Sequence, residues 1–181
     1  MTHIPVPDGA PGILGLLAAR PDTAAPLLAL TETLLRRDDG LSRAERELLA
    51  TAVSARNGCG FCRDSHAAVA AAHLGADGTV AVAAREGQLA EVAGARLAAL
   101  TRLAEAVADG GRVDDALVAA ARSAGADDDQ IHDTVLIAAA FSMFNRYVDG
   151  LGTAPADPAD YAAMGEQLAT AGYLAAAPAP A

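Results

Sequence analysis

Cys59 and Cys62 stand three residues apart, and His66 follows four residues after the second cysteine. On a helix, offsets of zero, three and seven share one face, so two thiols and an imidazole form one stripe. Cys59 falls at or near the start of that helix, where free N–H groups and the helix dipole favour a thiolate. His66 can hold or relay the proton of the Cys62 sulfur. A pair so spaced at a helix start can also close a disulfide. These are the parts of a redox dithiol: an attacking thiolate, a resolving thiol and a base. Glu47 lies on the preceding helix, on a face that also carries Thr51, Ser54 and Gly58, opposite a greasy stripe of Leu48, Leu49, Ala52 and Val53. It is expected to point toward the helix start that bears the cysteines, where its carboxylate can exchange a proton through a water.

Spacing alone leaves other readings open. The pair could bind zinc, but three groups in line on one helix cannot surround a tetrahedral ion, and there is no second cysteine pair. His73, as a fourth ligand, would lie about 10 Å further along the helix. Both cysteines could be small buried hydrophobes. His66 could be an ordinary surface histidine and Glu47 a solvated helix charge. A thioredoxin-like fold would need a βαβ pattern that the chain does not offer.

The elements that must position these residues read as helices throughout. Residues 1–12 hold three prolines and two glycines and are expected to form an extended arm. Ile13 to Ala19 is short and apolar. A helix from Pro21 is marked by leucines at helical spacing and ends at Arg36-Arg37. Ser42-Arg43-Ala44-Glu45 is a capping box that opens a helix to about Arg56, and Asn57-Gly58 breaks it. Further helices are expected from Cys59 to Leu74, Asp77 to Arg85, Ala90 to Asp109, Val113 to Ala124, Asp127 to Gly150 and Asp157 to Thr170. No segment alternates with period two. The fold is therefore expected to be all-α, with seven or eight helices in one domain over 13–172, and 173–181 as a flexible tail.

Composition agrees and excludes several functions. Among 181 residues, 48 are Ala, hydrophobic residues make 52% and aromatics only 3%, which favours helices over sheets. There are 13 Arg, no Lys and a net charge of −10. That argues against nucleic acid, whose phosphates need clustered basic residues, and against an anionic membrane surface. The N-terminus lacks the pattern of a signal peptide, and no charge-free apolar run is long enough to span a bilayer. A cytoplasmic protein is expected. In a reducing compartment two cysteines three apart are more often catalytic or metal-binding than structural.

The pattern Glu47, eleven residues, Cys59, two residues, Cys62, three residues, His66 resembles the signature of the alkyl hydroperoxidase D-like family within the carboxymuconolactone decarboxylase superfamily. The phrase from Leu41-Ser42 through Glu45-Arg46-Glu47, Val53-Ser54, Asn57 and Phe61-Cys62 to His66 is most similar to its peroxidase-related branch. Phe144-Asn145-Arg146, Asp149 and Leu151-Gly152 extend the likeness, which covers most of residues 4–152. The resemblance implies an all-α helical bundle that assembles as a homo-oligomer, a trimer or hexamer. It implies a thiol-dependent peroxidase without metal, haem or flavin. In that reading Cys62 is attacked by the peroxide and becomes a sulfenic acid. Cys59 is the resolving thiol and proton donor, and the two close a redox disulfide. His66 and Glu47 form the proton relay, a dithiol is the reductant, and Ser65, Asn145 and Arg146 lie near the pocket.

One departure matters. The well-studied hydroperoxidases carry His just before the second cysteine, and related chains often carry Tyr. Here Phe61 can neither donate nor accept, so slower turnover is expected. A redox-sensing or disulfide-exchange module, or a ligand-binding relative of the fold with little turnover, is the alternative. Decarboxylase members of the superfamily generally lack the cysteine pair.

Overall fold

The computed structural model describes residues 2–75 and 78–176. Ten α-helices and no strand occur among them: α1 (Gly12–Ala19), α2 (Pro21–Leu35), α3 (Arg43–Asn57), α4 (Gly60–Leu74), α5 (Thr79–Arg85), α6 (Leu89–Val92), α7 (Ala95–Gly110), α8 (Asp115–Ser123), α9 (Asp128–Gly150) and α10 (Pro158–Ala171). A 3-10 turn follows at Leu174–Ala176. The all-α class is as expected; the count of seven or eight is not. The apolar stretch after residue 12 forms a helix of its own. The run from Ala90 to Asp109 divides at Ala93-Gly94, where Ala93 is extended (ψ 156°) and Gly94 caps α7. Ala and Gly in an Ala-rich run carry no polar signal to mark such a break. Asp77, the expected start of α5, lies outside the described residues.

Helix α3 is the centre of the molecule. It pairs with α4 and also packs on α7 and α9, while α10 covers α4. All nine residues from Arg46 to Ser54 are buried, greasy and polar stripes alike. Leu49 and Val53 enter the main core with Leu35, Leu100, Leu103, Ile137 and Phe141. Leu48 and Ala52 meet Ala70, Ala84 and Leu89 in a second cluster. The polar stripe faces the site described below. With so few aromatics, small side chains let the helix axes approach; at Gly165 of α10, a Cβ would lie 2.7 Å from the backbone of Ala68 in α4.

Arg46 ties α3 to its surroundings. Its guanidinium is fully buried and donates to the carbonyls of Leu34, Asp39 and Leu41 and to the Asp133 carboxylate of α9, at 2.8–3.1 Å. The capping box at Ser42 and Glu45 forms as the sequence predicts. The N-terminal arm lies along the α9–α10 connection, with His3 N–H on the Leu151 carbonyl and Gly12 N–H on that of Ala154. No helix among the described residues is long and apolar enough to cross a membrane.

Candidate active site

The turn between α3 and α4 places the cysteines. Gly58 takes the left-handed conformation (φ +77°) that ends α3, a conformation costly for any residue with a Cβ. The chain then reverses, Cys59 N–H bonds to the Ser54 carbonyl, and Cys59 becomes the N-cap of α4. Cys62 therefore sits in the first turn of a 15-residue helix, within reach of the positive end of its dipole. Both thiols are free and buried.

Their ionisation is split. The neighbouring Cys62 sulfur, then burial, push the Cys59 thiol far above the usual range; Asp149 adds to the effect. The same neighbour holds Cys62 below its usual range against the cost of burial. His66 and the Asn145 side chain assist, while Asp149 opposes. The two thiols thus shift in opposite directions, Cys62 down and Cys59 up.

Asn145 reaches this sulfur from α9. It is almost wholly buried, donates to Ser54 Oγ at 3.0 Å and accepts from Asn57 Nδ2 at 2.9 Å. Its orientation is set by α3, whose Ser54 and Asn57 hold both ends of the amide.

His66 stands one turn beyond Cys62. Its Nδ1 lies 2.7 Å from Glu47 Oε2. An ionised carboxylate only accepts, so Nδ1 carries the hydrogen and Nε2 is the nitrogen left to exchange a proton. Phe141 meets the ring edge-on, with centroids 4.6 Å apart. Glu47 has no exposed surface. The solvated-charge reading of Glu47 does not hold: its other oxygen accepts from the Tyr173 hydroxyl at 2.6 Å. Tyr173 belongs to the segment expected as a flexible tail, yet it is 5% exposed and part of the site. Its one visible signal is an aromatic side chain with a polar tip in an otherwise Ala/Pro-rich terminus. Burial, then the Glu47 charge, keep its hydroxyl protonated well above the usual range.

Cys62, Ser65 and His66 line a partly open, mainly apolar cavity of about 70 Å³ between α1, α2, α4, α9 and α10. Phe61, Phe141, Met164 and Leu168 supply apolar wall. The Ser65 hydroxyl is buried without a protein partner. Phe61 forms wall and no hydrogen bond, its ring 6.0 Å from that of Tyr161. Arg146 corrects an expectation. It is exposed, donates to the Ser142 carbonyl one turn back on its own helix, and is not among the residues lining the cavity. Adjacent residues of a helix point about 100° apart, so Asn145 and Arg146 cannot both face Cys62.

Comparison with curated proteins gives no match. Two solved structures share the fold. One is described as an alkylhydroperoxidase AhpD core, an uncharacterized peroxidase-related protein from Ralstonia eutropha JMP134. It is 27% identical, with a TM-score of 0.78 over 91% of this chain and 96% of its own. The other, an uncharacterized peroxidase-related protein from Silicibacter sp. TM1040, is 25% identical, with a TM-score of 0.74 over 84% of this chain and 78% of its own. The model of the carboxymuconolactone decarboxylase family matches residues 21–117, a stretch that holds Glu47, Cys59, Cys62 and His66 but not Asn145 or Tyr173. With that match over more than half its length and an alkyl hydroperoxidase D-like fold, the chain belongs to the carboxymuconolactone decarboxylase family.

Proposed function

We propose that the protein is a thiol-dependent peroxidase that reduces an organic hydroperoxide with electrons from a dithiol. The observation that carries this reading is the placement of Cys62 in the first turn of α4, at the wall of a mainly apolar cavity and one turn from a His66 held by Glu47. The Cys62 thiolate attacks the terminal peroxide oxygen. An S–O bond forms, the O–O bond breaks, and the alkoxide leaves as the alcohol with a proton delivered through His66. Sulfur is oxidised by two electrons and the peroxide is reduced by two. Cys59 then attacks the sulfenic sulfur, the S–S bond forms and water leaves, taking the Cys59 proton. An external dithiol restores both thiols through a mixed disulfide and is itself left as a disulfide. Glu47 orients His66, as a carboxylate orients the base of a hydrolytic triad. In this reading the protein works in the cytoplasm as a homo-oligomer, a trimer or hexamer, with no metal or prosthetic group taking part.

A redox-sensing or disulfide-exchange role for the same pair is the second reading. Phe61 in place of a relay side chain and the burial of both sulfurs favour it. Turnover separates the two. Under the peroxidase reading, substoichiometric protein with excess dithiothreitol consumes an organic hydroperoxide over many cycles. Cys62→Ser falls to the background of dithiol alone, Cys59→Ser turns over only as fast as dithiothreitol itself reduces the sulfenic acid, and His66→Ala slows by about a hundredfold. A single stoichiometric oxidation without recycling would move the assignment to the sensor. Activity of another kind that survives both serine variants would point to a decarboxylase-type reaction.

A further inference from the structure

We propose that Tyr173 is a positioning residue of this site, its hydroxyl clamping the Glu47 carboxylate in the orientation that accepts from His66. The reaction it serves rests on the peroxidase reading; the clamp rests on geometry.

Glu47 is fully buried and has two partners, one for each oxygen. Tyr173 donates to Oε1 at 2.6 Å, and His66 Nδ1 meets Oε2 at 2.7 Å. A buried carboxylate needs both, because each unsatisfied oxygen carries the full cost of lost hydration. With both oxygens engaged by short, charge-assisted bonds, the carboxyl plane cannot turn without breaking one. The same hydroxyl lies 3.3 Å from His66 Nδ1, and the phenol ring stacks on the imidazole with centroids 6.0 Å apart and planes 23° from parallel. Tyr173 thus bounds the imidazole and its carboxylate at once.

The clamp is built from outside the site. Glu32 of α2 accepts the backbone N–H of Tyr173 at 2.6 Å and that of Leu174 at 3.3 Å. Four residues on, at the C-cap of α2, Arg36 donates to the last carbonyls of α10, those of Leu168, Ala169 and Thr170. One helix therefore captures both the end of α10 and the strap after it. Position 61 contributes no hydrogen bond; the hydroxyl that reaches Glu47 comes from the far end of the chain, 126 residues from its acceptor.

Removing the hydroxyl leaves one oxygen of a buried carboxylate without a donor and frees the carboxyl plane to turn, so Glu47 no longer holds His66 beside Cys62 and the Cys62 thiolate loses support. The charged and titratable groups that face the clamp and Cys62 are Glu32 and Arg36 from α2, Glu47 from α3, Cys59, His66 and His73 from α4 and its cap, and Asp149 from α9.

The test compares wild type, Tyr173→Phe, Glu47→Gln and the double variant. Cys62 alkylation by iodoacetamide is followed across pH by mass spectrometry, beside peroxide-driven thiol loss and the thermal midpoint. Tyr173→Phe keeps the ring. Its alkylation profile is expected to lose its acid limb at higher pH, and both reactions slow by about tenfold near neutral pH. In the Glu47→Gln background the same change is expected to add little, since the hydroxyl acts through that carboxylate. Glu32→Ala, which leaves the hydroxyl but frees the backbone presenting it, gives a smaller shift in the same direction and serves if Tyr173→Phe does not fold cooperatively. A wild-type profile in Tyr173→Phe, or an equal loss in the Glu47→Gln background, overturns the clamp. Alkylation that responds while the wild type itself ignores peroxide would reject the peroxidase reading and leave the clamp standing.

Discussion

Two thiols three residues apart at one helix start shift in opposite directions because each meets different neighbours. Cys59 is raised by the neighbouring Cys62 sulfur and by burial; Cys62 is lowered by Cys59 and by the His66 and Asn145 side chains. The reactivity follows in sign. Cys62 stays a thiolate to lower pH than an ordinary thiol and loses reactivity as pH falls through its depressed value. One equivalent of iodoacetamide near neutral pH is therefore expected to label Cys62 and spare Cys59, as read by peptide mass mapping. Asn145→Ala is expected to move the loss of labelling to higher pH and to slow it about tenfold near neutrality. Labelling that favours Cys59 would contradict the assignment. Cys59, Cys62, His66 and Glu47 are legible in the sequence because they lie on two consecutive helices with one turn between them. Asn145 is legible only as half of a dipeptide. The sequence cannot tell which of Asn145 and Arg146 faces inward until the phase of α9 against α3 is known, and Tyr173 carries no periodic pattern at all.

The helices themselves are largely legible, since capping boxes, stop glycines and leucine spacing act locally. Breaks made of small residues, such as Ala93-Gly94, are not. Nor is the role of Arg46, which is buried among three backbone carbonyls and Asp133. Its partners lie at the end of α2, in the loop after it and on a helix 87 residues away, so no local rule can find them all. Arg46 sets how α3, the helix that carries Glu47, sits against α2 and α9. Arg46→Met leaves a buried carboxylate and several carbonyls unpaired and is expected to cost about 3–5 kcal/mol in urea unfolding. Ser42→Ala, which removes one cap bond at the exposed start of the same helix, is expected to cost about 1 kcal/mol. Equal losses for the two would show that Arg46 does not tie the core as described.

At the scale of the molecule, an Ala-rich, aromatic-poor chain without alternating segments predicts an all-α bundle, and the family match and fold agree. The site nevertheless needs elements far apart in sequence. The α3–α4 pair brings the relay and the cysteines, α9 brings Asn145, and the strap after α10 brings Tyr173. The cavity exists only once these elements have docked with α1 and α2. Local patterns cannot specify that convergence, which is why the cysteine pair is visible in the sequence and its completed surroundings are not. The central claim is that Cys62 takes the peroxide oxygen and Cys59 resolves it. Its most direct test is the intact mass of the fully reduced protein, followed in time after one equivalent of an organic hydroperoxide. The account predicts rapid loss of both thiols in the wild type, with the mass falling by the two hydrogens of a new disulfide. It predicts a sulfenic acid, one oxygen heavier, in Cys59→Ser and none in Cys62→Ser. Thiol loss no faster than that of a free small-molecule thiol, or a sulfenic acid that forms in Cys62→Ser instead, would contradict it.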